Sequence, residues 1–117
     1  MDGMMANLNW TKEFPAAITV IDAGGVIREM NDRAAAVFAA DGGMALIGKN
    51  SLDCHPEPSH SKLVHLLKEP KPNIYTIEKG GARKLICQMP WYRDGEFAGL
   101  VEISIELPAE VPHFVRD

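Results

Sequence analysis

Residues 16–48, AAITVIDAGGVIREMNDRAAAVFAADGGMALIG, decide the fold. Ile18, Val20 and Ile21 give 17–22 the β-branched content of a strand. Asp22-Ala23-Gly24-Gly25 is a turn, because Asp bonds its own backbone and glycine takes positive φ without a Cβ clash. Residues 26–30 return as a second strand, and the pair makes a hairpin. Asn31 or Asp32 then caps a helix over 32–40, a stretch rich in alanine, the best helix former. Val37 and Phe38 are its large apolar contacts, and Asp41-Gly42-Gly43 ends it.

Downstream, Pro56 and Pro58 exclude a continuous helix through 51–60, SLDCHPEPSH. Ser59 caps a helix over 61–69. If that helix begins early enough, His60, Leu63, Val64 and Leu67 share one face at i, i+3, i+4 and i+7, and His65 lies about 140° away. Pro70 and Pro72 stop it. Residues 73–79 and 83–92 read as strands around a Gly80-Gly81 turn, with Leu85, Cys87, Met89 and Trp91 alternating onto one face. Asp94-Gly95 is a hairpin signal. In 97–107, Phe97, Val101, Ile103, Ile105 and Leu107 face one way and Glu102, Ser104 and Glu106 the other. Upstream, Met4, Met5 and Leu8 put an apolar stripe on a short helix over 1–12, which needs something to pack on. Pro108 and Pro112 leave 108–117 as a tail.

The chain's 117 residues suit one domain. Its formal net charge is −4 and its Lys and Arg form no runs, which argues against nucleic acid or a membrane surface as partner. The longest wholly apolar run, 34–40, is seven residues, far short of a spanning segment. The first dozen residues lack a signal-peptide core, so the expected location is cytoplasmic. Two cysteines make no secreted disulfide framework, and both are read as thiols.

Two strands, short helices and three more strands suit an α+β fold: a five-stranded antiparallel sheet with helices on one face. Asp22, Gly25, Ile27, Asn31 and Ala34, in this order, resemble the opening of a PAS sensor domain. Leu46-Ile47-Gly48-Lys49 is similar to that family's connection into its next short helical segment. The resemblance covers 13–107, with 1–12 as a cap helix and 108–117 outside it. It implies a cavity between helices and sheet, lined here by Leu63, Val64 and Leu67 from the helix and by Cys87, Met89, Val101 and Ile103 from the strands. It also implies a non-catalytic sensor or interaction module that holds a small ligand and signals through a homodimer or a signalling protein partner. Leu100 and Ala98 are expected on the outer face beside Met4, Met5 and Leu8, as the dimer patch.

Cys54, His55 and His60 form the one sharp constellation. Asp-Cys-His-Pro resembles a segment carried by a subset of PAS domains. His60 falls where haem-binding members offer an iron ligand, and haem iron takes His or a Cys thiolate. A haem-dependent redox or gas sensor is therefore one alternative, and a purely structural dimerisation module with a filled core is another. The bland reading of His60 is a helix-start residue bonded to a loop carbonyl. Zinc on Cys54, His55, His60 and Cys87 lacks the usual ligand spacings. Flavin photochemistry of the LOV type needs Cys where this chain has Ser51. A Cys54–His60 nucleophile pair has no third orienting group. Asn31 is read as a cap that also ties the second strand to the helix.

Overall fold

Asp22 makes the first reversal. Its Oδ1 accepts from the Gly24 and Val26 amides at 3.0 and 2.9 Å, and its Oδ2 accepts from Arg28 Nε at 2.8 Å. The hairpin so closed joins β1 (Ala17–Asp22) to β2 (Ile27–Met30). We describe residues 8–117 from a computed structural model. Then come α1 (Asp32–Val37), three short 3₁₀ turns (Ala39–Asp41, Gly43–Leu46, Ser51–Cys54) and α2 (Ser59–Lys68). Strands β3 (Asn73–Lys79), β4 (Ala82–Arg93) and β5 (Glu96–Leu107) complete the chain. All five strands form one antiparallel sheet in the order β2-β1-β5-β4-β3. Among the described residues, no helix is long and apolar enough to cross a membrane.

Asn31 fixes where α1 leaves the sheet. Its Oδ1 receives the Ala34 amide at 3.0 Å, the side-chain cap expected of Asn. The same oxygen receives the Ile18 amide at 2.9 Å, and Nδ2 donates to the Ala16 and Thr11 carbonyls at 2.7 and 3.0 Å. The tie therefore runs to the first strand and the segment before it, as well as to the helix. α1 is shorter than its alanine content suggests. It ends at Val37 because Phe38 leaves helical geometry and Gly42, at φ 119°, turns the chain.

The core lies between helices and sheet. Ala17, Ile21, Ile27, Met30, Ala34, Leu46, Leu63, Leu66 and Leu100 are its buried members. Leu66, 1% exposed, is the most enclosed large side chain, and burying one Leu contributes roughly 1.5–3 kcal/mol.

Three expectations change here. The expected cap helix over 1–12 lies mostly outside the described residues, Met4 and Met5 with it; residues 10–12 are turn, and Asn9 sits at φ 47°. Ser59 is inside α2 rather than capping it. Glu57 caps instead, accepting from the Ser61 amide at 2.8 Å and its hydroxyl at 2.6 Å, bonds that hold the Glu57 carboxyl below its ordinary pKa. The inward stripe of α2 is Ser59, Lys62, Leu63 and Leu66, one residue earlier than expected, which turns the helix by about 100°. Finally, Leu100 is a core residue, 3% exposed, not part of an outer patch.

Candidate functional site

The β1–β2 turn positions the wall that carries the cysteine and histidine. Asn50 bridges to Val26, and its Nδ2 donates to the Gly24 carbonyl at 3.1 Å. Ser51 donates to the Gly25 carbonyl through both its amide, at 2.8 Å, and its hydroxyl, at 2.6 Å. Gly25 sits at φ 92°, where a Cβ would lie 2.9 Å from Asn50 Oδ1. Glycine there lets the turn and the Ser51–Cys54 segment meet.

That segment, α2 and the sheet border a cavity of about 840 Å³ that is open to solvent on one side. The helical side supplies Leu63, Leu66 and Lys62, and the turns supply Leu46, Lys49, Cys54 and His55. The sheet side supplies Ile21, Leu100 and a polar row. Asn73, Gln88, Glu102 and Thr19 stand opposite one another on β3, β4, β5 and β1. Asn73 Nδ2 donates to Gln88 Oε1 at 2.6 Å, and Gln88 Nε2 donates to Glu102 Oε2 at 3.0 Å. Tyr75 lines the cavity as well. Burial first, and then the charge of Glu102, push its hydroxyl pKa up. A smaller hollow of about 200 Å³ shares Thr19, Phe38, Tyr75 and Glu102 with the main one.

Of the residues expected at this site, Leu63, Cys54 and His55 line the cavity. Cys54 and His55 are exposed at the mouth, and His55 Nδ1 is 2.6 Å from the Ser51 carbonyl. His60 is half-buried off the wall, its Nδ1 2.8 Å from the Leu52 carbonyl. A carbonyl only accepts, so Nδ1 carries the proton in both rings. The carbonyl contact matches the bland reading of His60, and the ring is not among the side chains that line the cavity. Val64 and Leu67 are half-buried beside the stripe, and Leu67 packs on the core.

Cys87, Met89, Val101 and Ile103 do not line the cavity. Cys87 pairs with Ile103 and Met89 with Val101, on the sheet face away from the helices. Side chains alternate along a strand, and Leu100 and Glu102 take the inner face. The strongly apolar side of β5 is thus its outer side. This also separates Cys87 from Cys54, so the four zinc candidates do not converge. Missed at first were Leu66, Tyr75 and the Asn73–Gln88–Glu102 row. Their signal was three polar residues at matching positions on three adjacent strands, legible only once the register is known.

No protein-family model matches the sequence, and no curated protein does. Solved structures do. The PAS domain of BvgS from Bordetella pertussis superposes with a TM-score of 0.65 at 20% identity, over 92% of this chain and 88% of that one. The PAS domain of an HTR-like protein from Haloarcula marismortui gives 0.61 at 18% identity, over 92% and 100%. The Aer2 receptor from Vibrio cholerae, described as a dual PAS-haem oxygen sensor, gives 0.61 at 19% identity, over 80% and 95%. The antiparallel order β2-β1-β5-β4-β3, the short helices on one face and these superpositions together show that the chain has the PAS fold.

Proposed function

We propose that this chain is a non-catalytic sensory or interaction module that takes a small ligand in its cavity and reports through the outer face of its sheet. The carrying observation is the hollow of about 840 Å³ between α2 and the sheet. Cavities of roughly 300–1,000 Å³ with apolar walls and a few polar groups are what small ligands need. A filled core, as a purely structural dimerisation module would have, leaves no such space.

The outer face supports the reporting half. Ile74, Met89 and Ile105 are all more than a third exposed there, next to Cys87, Val101 and Ile103. An apolar sheet face of this kind suits a second copy or a signalling partner. A ligand shifts that contact only by its differential affinity for two arrangements of helix against sheet.

The test uses 1-octanol as an apolar probe and amide chemical shifts as readout. Saturable shifts at Ile21, Leu63, Leu66 and Leu100 are expected. Their absence sinks the ligand reading. Light scattering with and without the probe then reads association between copies. A haem band that His60→Ala abolishes would overturn the placement of His60 off the wall.

A further inference from the structure

We infer that the cavity is built for a ligand with an apolar body and a cationic amine, and that Glu102 receives the amine. The inference rests on the ligand reading of the same cavity.

The polar row is directional, and its direction follows from Glu102. An ionised carboxylate only accepts hydrogen bonds. Gln88 must therefore present its NH₂ to Glu102 and its oxygen to Asn73, and Asn73 must present its own NH₂ to Gln88. These are the two bonds observed, at 3.0 and 2.6 Å. Each amide is used and the row ends on the carboxylate. Among the described residues, Glu102 makes no other side-chain hydrogen bond and no ion pair. One oxygen is left without a donor.

The position of that oxygen gives it meaning. Glu102 lies on the central strand of the sheet and lines both the main cavity and its smaller neighbour. That oxygen is open to the cavity, where a donor can reach it, and a cationic donor bonds a carboxylate more strongly than a neutral one. Lys49 and Lys62 also line the cavity, yet neither pairs with Glu102. A ligand ammonium would complete the row with a charge-assisted bond. Tyr75, which lines the same cavity, adds a ring face and a hydroxyl. Leu63, Leu66 and Leu100 receive the apolar body.

Titration with octylammonium, 1-octanol and octanoate, matched in chain length, tests this. Octylammonium should bind at least about tenfold more tightly than 1-octanol, in line with a hydrogen bond to a charged group. Glu102→Gln keeps an acceptor for Gln88 and should bring octylammonium down to the affinity that the same variant shows for 1-octanol. Equal affinity for octylammonium and 1-octanol, tighter binding of octanoate, or an octylammonium advantage that survives Glu102→Gln each overturns the assignment. If no probe binds, the ligand reading itself fails and the assignment with it. Binding of 1-octanol alone leaves that reading standing and removes only the amine.

Discussion

Asn31 donates to the Ala16 carbonyl at 2.7 Å, fifteen residues earlier, from a side chain only 5% exposed. Its other end receives two backbone amides, from Ile18 and Ala34. One buried amide thus joins the start of β1, the end of β2 and the first turn of α1. Asn31→Ala leaves buried donors and acceptors unpaired and removes a helix cap. It should cost about 2–4 kcal/mol, read from urea unfolding. Asn31→Asp keeps the acceptor but turns a charge toward the Ala16 and Thr11 carbonyls. Burial against those two carbonyls disfavours the charged form, so the variant's deficit should shrink as pH falls toward about 4. A deficit independent of pH would show that the donated bonds contribute nothing.

Gly99 is the second position where backbone decides. Its φ is 147°, and a Cβ added there would overlap the Ile21 carbonyl oxygen. The same oxygen accepts from the Trp91 indole at 3.0 Å. The central strands β1 and β5 could not keep their pairing with alanine in place. Gly99→Ala should therefore lower stability by more than about 3 kcal/mol or prevent folding. Gly81→Ala is the control. Its φ is also positive, at 82°, but nothing lies within 4 Å of the added Cβ. It should cost about 1–2 kcal/mol, the left-handed strain alone. Equal effects at the two sites would rule out the carbonyl clash as cause.

The fold was legible because turn chemistry is local. Asp22-Ala23-Gly24-Gly25, the Asn31 cap and Asp94-Gly95 each mark a reversal or a start through their own side chain or backbone, and together they set the element order. The site was less legible because it depends on phase. Moving the face of α2 by one residue exchanged Leu67 for Leu66. Residues 97–101, FAGLV, are apolar on both faces, so alternation there could not say which side meets the helices. The greater apolar weight of Val101, Ile103 and Ile105 pointed to the core, yet in this fold that side faces outward. The inner face instead keeps the polar row of Asn73, Gln88 and Glu102.

Acid should weaken the β1–β2 turn through Asp22. Burial alone would raise its carboxyl pKa, but the bonds from the Val26 amide, Arg28 and the Gly24 amide outweigh it and the net shift is downward. A carboxyl with a lowered folded pKa stabilises fully above its unfolded value, near 3.9, and loses that contribution as pH falls through the folded value. The wild type should therefore lose stability below about pH 4 more steeply than Asp22→Asn, measured by urea midpoints from pH 7 to pH 2.5. Parallel curves for the two proteins would mean that the β1–β2 turn gains nothing from the charge.

Leu100 and Met89 test the two faces of the sheet against each other. Leu100 points into the core at 3% exposure, whereas Met89 lies on the opposite face at 39%. Leu100→Ala should cost about 2–4 kcal/mol, because it empties volume beside Ile21, Leu63 and Leu66. Met89→Lys should change stability by less than about 1 kcal/mol, since the long side chain can carry its charge to water. It should instead weaken any association between copies, because a desolvated ammonium at an apolar contact is costly. Sedimentation velocity at increasing concentration separates the two effects. Association unchanged by Met89→Lys would remove the outer face as the reporting surface, and a cheap Leu100→Ala would contradict the inward placement of β5.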